Sequence, residues 1–121
     1  MVLDTNILIA YLKGETKIIE TLDTVRLSGR VLVVSTISVS ELLALPGINS
    51  GEINRIKNFL ESFILIPFDL DIAERAAYIK RTYNLALPDA AIAATCMKHD
   101  IPLMTRDKQF NKIKEITSID I

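Results

Sequence analysis

Four consecutive apolar residues, Val31-Leu32-Val33-Val34, preceded by Ser28-Gly29, constrain the fold more than any other stretch of the chain. A run with no polar residue at every second position suits a strand covered on both faces, and strands of that kind belong to parallel sheets. The stretches Met1–Leu3, Ile64–Phe68, Pro102–Thr105 and Thr117–Ile121 read as further short strands. Between them lie helical patterns over Ile7–Leu12, Lys17–Leu27, Ser38–Leu45, Glu52–Phe63, Asp71 to about Asn84, and Pro88–Lys98. Strands separated by helices make βαβ units, so the expected fold class is α/β with a mostly parallel sheet covered by helices. A length of 121 residues, with no internal repeat or linker, suits one domain over residues 1–121.

The helical segments carry different faces. Ile53, Ile56, Leu60 and Phe63 share one side of theirs, and Ile72, Ala76, Ile79 and Tyr83 line another behind the capping pair Asp71 and Glu74. The segment after Pro88 is apolar nearly all round, from Ala90 to Met97, which makes it central or covered by another subunit. A mean hydropathy of +0.32 is high for so small a chain and suggests subunit contact. Ile7, Ile9, Tyr11, Leu12, Ile53 and Ile56 are candidates for such a surface, with a core role as the alternative for each.

Composition narrows the chemistry. Fourteen Lys and Arg against 15 Asp and Glu give a net charge of -1, so nucleic-acid binding has to be local. The single Cys96 and single His99 cannot build an ordinary structural zinc site, and the lone thiol suits a reducing cytosol. The start of the sequence lacks the pattern of a signal peptide, and charges interrupt every apolar run short of a membrane span, so a cytoplasmic protein is expected. Gly14, Gly29, Gly47 and Gly51 form neither a dinucleotide-binding fingerprint nor a phosphate-binding loop. There is no G-x-S-x-G elbow, and His99 beside Asp100 reads as a surface histidine.

What remains is a set of acids at one rim. Asp4 follows the first strand, Glu41 lies early in the helix after the second, Asp89 starts the apolar helix, and Asp107 follows Leu103–Thr105. Parallel α/β sheets bind ligands outside the carboxyl ends of their strands. Convergent carboxylates repel and raise one another's pKa values, and a divalent cation relieves that cost. All-oxygen ligation favours Mg²⁺ or Mn²⁺ over zinc, and such a site activates water for attack on a phosphodiester. Each acid also has a bland alternative. Asp4 suits a helix N-cap, Ser38-x-x-Glu41 is formally a capping box, Asp89 complements a helix dipole, and Asp107 suits a loop or cap.

Val2-Leu3-Asp4-Thr5-Asn6, Ser40-Glu41-Leu42, Leu87 to Thr95, and Pro102 to Phe110 stand in a fixed order along the chain. Together these four segments resemble a PIN domain, most closely the VapC-type toxin ribonucleases of prokaryotic toxin–antitoxin pairs. The resemblance spans essentially the whole chain and implies a PIN-like α/β/α sandwich acting as a Mg²⁺- or Mn²⁺-dependent endoribonuclease. It makes Asp4, Glu41, Asp89 and Asp107 the metal-binding quartet, with Asn6 and Thr105 in support and Thr105 bonded to Asp4. It also implies a homodimer and an antitoxin that covers the site. Arg106, Lys108, Lys112 and Lys114 flank Asp107 and are candidates for contacting RNA phosphates, against a solvated mixed-charge surface as the alternative.

Two rivals stand beside this reading. A receiver-like signalling domain would use Asp69 after the third strand as phosphoacceptor, but it usually pairs two acids at the first strand, where Thr5 follows Asp4 here. A non-catalytic RNA- or protein-binding module would keep the fold without turnover.

Overall fold

Alternation along three short strands divides the interior into two. The computed structural model describes residues 1–121 and contains β1 (Val2–Leu3), β2 (Val33–Ser35), β3 (Ile64–Ile66), β4 (Leu103–Thr105) and β5 (Ser118–Asp120). Side chains on a strand alternate between faces. Val2, Val33 and Leu103 therefore point into one core, while Leu3, Val34 and Met104 point into the other. A continuous apolar run was the expected signature of such a doubly covered strand, and both central valines of β2 are buried.

The five strands are all parallel and run in the order β3-β2-β1-β4-β5. Helices α1 (Thr5–Leu12), α2 (Thr16–Leu27) and α4 (Ser50–Leu60) supply the core on the Leu3 face. On the Val2 face lie α5 (Leu70–Tyr83) and α6 (Leu87–His99), and α3 (Thr36–Leu43) contributes Leu42 to one core and Ile37 to the other. The architecture is the expected α/β/α sandwich. Helix α6 is central, one of the two readings its apolar pattern allows: Ala90 through Cys96 are all buried. Burial pushes the Cys96 thiol up to about 12, which leaves it inert.

Helix starts differ from expectation where local cap patterns mislead. Helix α3 begins at Thr36 rather than Ser38, because Ser35 is its N-cap and accepts a hydrogen bond from the Ile37 amide. Ser38-x-x-Glu41 is therefore not a capping box. Likewise Asp69, not Asp71, caps α5 by accepting from the Ile72 amide. A 3₁₀ turn over Lys108–Lys112, which the sequence pattern does not suggest, follows β4. No helix is long and apolar enough to cross a membrane.

Of the residues offered as a partner surface, Ile7 and Ile56 are buried core, and Ile9, Tyr11, Leu12 and Ile53 are half-buried. Tyr11 stacks on Phe59 with ring centroids 4.9 Å apart.

Candidate active site

The strand order fixes where a ligand crevice lies. From β1 the chain steps outward to β2 and β3, then returns to pair β4 on the other side of β1. That reversal opens a crevice at the carboxyl ends of β1 and β4, the usual ligand position in open parallel sheets. Asp4 is the first residue beyond β1, and its amide donates to the Met104 carbonyl at 3.0 Å. Thr105 ends β4, and Asp107 lies two residues on. Helix α6 leads into β4 and so runs back across the sheet, which brings Asp89 in its first turn to the same rim; α3 leaves β2 there and carries Glu41.

Thr105 ties two of these acids together. Its buried hydroxyl donates to Asp4 Oδ2 at 2.8 Å and accepts from the Asp107 amide at 2.9 Å. Asp4 occupies the N-cap position of α1 but makes no side-chain cap bond, so the bland reading of this residue fails. Asp107 does cap the 3₁₀ turn, accepting from the Gln109 amide at 3.0 Å, so its bland reading holds alongside any site role. Glu41 Oε1 accepts from Thr5 Oγ1 at 2.7 Å, and Thr5 Oγ1 lies 2.8 Å from Ser38 Oγ. Asn6 is exposed and bonds none of the four acids.

The electrostatics match a cluster of like charges. Burial, followed by the Asp4, Asp107 and Glu41 charges, pushes Asp89 up to about 6. Asp4 is also raised, chiefly by burial, against the opposing hydrogen bond from Thr105. No cation neutralises the group: the ion pairs of the protein join Arg75 to Asp71, Lys98 to Asp69 and Asp71, and Arg106 to Glu15. Four carboxylates and no nitrogen or sulfur donor suit a hard divalent cation. No three His, Cys, Asp or Glu side chains stand close enough together to hold one ion without moving. Glu41 is engaged through Oε1 alone, by Thr5, and Asp107 accepts from the Gln109 amide.

Among the basic candidates, Arg106 is held by both oxygens of Glu15, while Lys108, Lys112 and Lys114 are exposed and form no ion pair. Glu15, Thr5 and Ser38 do not stand out as site residues in the sequence. Thr5 nevertheless sits between Asp4 and Asn6, and Ser38 lies one helical turn before Glu41; the signal is present, but local rules assign it to capping.

The layout defines a class: an α/β/α protein with an acidic site at the topological switch of a parallel sheet. The PIN domain family model matches residues 1–116, and the chain belongs to that family, whose members are generally nucleases. A toxin–antitoxin complex from Klebsiella pneumoniae contains a chain 29% identical, with a TM-score of 0.81 over 99% of this chain and 98% of that one. VapBC-1 from nontypeable Haemophilus influenzae is 26% identical, with a TM-score of 0.80 over 98% of this chain and 96% of the other. VapBC2 from Rickettsia felis, bound to a promoter DNA fragment, is 17% identical with a TM-score of 0.85 over 99% and 97%, a likeness of fold. No curated protein sequence matches the chain.

The receiver-like rival does not survive. Receiver domains order their strands 2-1-3-4-5, unlike this sheet. Asp69 is moreover engaged as a helix cap and by Lys98 Nζ at 2.8 Å.

Proposed function

We propose that the chain is a divalent-cation-dependent endoribonuclease, the toxin of a VapBC-type toxin–antitoxin pair. Residues 1–121 act as one domain of a cytoplasmic homodimer whose partners are RNA and an antitoxin. The observation that carries the nuclease reading is the set of four carboxylates, with no cationic partner, around the β1–β4 crevice. The toxin reading draws support from the similar structures, which are toxin–antitoxin complexes.

Asp4, Asp89 and Asp107 would hold Mg²⁺ or Mn²⁺, and Glu41 would complete the set or orient the attacking water. A divalent cation bound there supplies a Lewis acid that lowers the pKa of water and neutralises phosphate charge. Water attacks the phosphorus in line, and the leaving ribose oxygen departs on the opposite side. Thr105 keeps Asp4 in one orientation and sets the Asp107 backbone beside it, so two of the acids keep a fixed spacing. Lys108 and Lys112, exposed and without an ion pair in the 3₁₀ turn that follows Asp107, would meet RNA phosphates.

Incubating total RNA with the purified protein and Mg²⁺ or Mn²⁺, against EDTA and Asp89→Asn controls, tests this reading. Cuts that require both the metal and Asp89 are expected. A folded, partner-free protein that binds RNA and cuts none of it would transfer the reading to a binding module.

A further inference from the structure

Thr5 and Ser38 form a buried hydroxyl pair that helix capping does not explain, since Asp4 and Ser35 occupy the N-cap positions of α1 and α3. The direction of their bonds follows from counting protons. A threonine hydroxyl donates once, and a carboxylate only accepts. Thr5 Oγ1 donates to Glu41 Oε1 at 2.7 Å, so in the 2.8 Å contact Ser38 Oγ is the donor and Thr5 the acceptor. The chain of bonds therefore runs Ser38 to Thr5 to Glu41 and ends on one oxygen of an acid in the candidate site. Glu41 Oε2 has no protein partner.

We propose that Thr5, locked by Ser38, is a positioning residue that fixes the Glu41 carboxylate so that Oε2 faces a divalent cation or its water. This inference rests on the nuclease reading above. A glutamate side chain loses roughly 1–2 kcal/mol of rotamer freedom when ordered. A hydrogen bond to the charged oxygen, made before the ligand arrives, meets that cost in advance. Partners of metal-ligating groups act this way in general, and their loss weakens metal affinity or activity about 10- to 100-fold. Thr5 is well placed for the task because it directly follows Asp4, so one turn of backbone sets the first acid and anchors the second.

The test is Mn²⁺ titration by electron paramagnetic resonance on the full chain, with RNA cleavage and thermal denaturation in parallel. Thr5→Val should weaken Mn²⁺ binding about tenfold and lower kcat more than it raises KM. Thr5→Ser should restore both. In a Glu41→Gln background, Thr5→Val should add no further loss of Mn²⁺ affinity, because its effect passes through Glu41. If Thr5→Val does not fold, Ser38→Ala carries the same comparison, with a smaller loss that again disappears in Glu41→Gln. A lowered Tm with unchanged Mn²⁺ affinity and kcat would assign Thr5 to the packing of α1 on α3 and overturn the proposal. Failure of Thr5→Ser to restore function, or losses additive with Glu41→Gln, would overturn it too. If the wild-type chain binds no Mn²⁺ and cuts no RNA, the nuclease reading falls and the positioning role with it. If the wild type does both and Thr5→Val is silent, only the positioning role falls.

Discussion

The two ends of the sheet use the same strands for opposite purposes. At the amino end, the ladder continues through backbone bonds such as Val2 N to the Pro102 carbonyl at 2.9 Å and Val33 N to the Met1 carbonyl at 2.8 Å. Its surroundings are apolar: Val31, Ile64, Ile66 and Ile101 line a shallow groove there. At the carboxyl end, Asp4, Glu41 and Asp107 act on Asp89 through their charges, the hydrogen bonds to these acids come from Thr5, Thr105 and Gln109, and Asp4 and Asp89 are raised in pKa. The amino end contributes apolar packing to the fold, whereas at the carboxyl end burial and like charge disfavour the ionised carboxylates, a cost that the proposed cation would relieve. Substitutions at the two ends should therefore move stability and activity in different directions.

The sharpest way to break this contrast is to neutralise the acidic end. Asp4→Asn or Asp89→Asn should leave the fold intact and reduce RNA cleavage by about 1000-fold, near 4 kcal/mol of transition-state stabilisation. Cleavage at wild-type rates by either variant would remove that residue from the site. The counterpart at the other end is Leu32→Ala. Leu32 is buried where β2 begins, and its loss should cost about 2–4 kcal/mol in denaturant unfolding while cleavage well below the melting temperature stays unchanged.

Legibility in the sequence also divides between these ends. The strands can be read because Val31–Val34 and Leu103–Met104 are apolar at consecutive positions, and two-sided burial of Val33, Val34, Leu103 and Met104 accounts for most of that pattern. Strand β2 nevertheless starts at Val33, where its pairing with Val2 and Ile64 begins, and Val31, 52% exposed, lies outside the ladder. The four acids can be placed at one rim from the order of elements alone. Their partners divide: the Thr105 bond to Asp4, 101 positions apart, is expected only from the family resemblance, while the Thr5 bond to Glu41, 36 positions apart, has no local signal at all. Local rules misassign Ser38 for the same reason: i to i+3 spacing fits a capping box, and only the tertiary structure reveals Ser35 in that role. Strand β3 is legible as a strand but not as an exposed edge, with Ile64 54% and Leu65 44% accessible, since an apolar edge and an apolar core strand look alike in sequence.

Burial of Asp89 among other acids has a signature in pH. Asp89 titrates near 6 in the folded protein, above its ordinary 3.8, so between those values the folded state holds more protons than the unfolded one. Stability should then fall as pH rises from about 4 to about 6 and level off above. A rise of about two units corresponds to roughly 3 kcal/mol if fully expressed, and solvent access to this half-buried carboxylate reduces it to about 1–2 kcal/mol. Asp89→Asn should be more stable than wild type by that amount at pH 7 in EDTA, with the gain vanishing near pH 4. Urea unfolding at several pH values checks this, and equal stability of the two proteins at pH 7 would mean that neither burial nor the neighbouring acids disfavour the charged Asp89.

The smallest expected effect concerns the basic residues bordering the acidic end. Lys108 and Lys112 are exposed and unpaired, whereas the Arg106 guanidinium is shared with Glu15, whose carboxyl it holds below the usual range. A phosphate must displace Glu15 to reach Arg106 but meets only water at the lysines. Lys108→Ala with Lys112→Ala should therefore weaken RNA binding severalfold and flatten the dependence of log affinity on log salt by about 0.7 for each phosphate no longer neutralised. Arg106→Ala alone should flatten it less than one lysine does. If instead Arg106→Ala gives the larger change, the Glu15 pair opens on RNA binding, and the guanidinium rather than the lysines brings the phosphate to the acids.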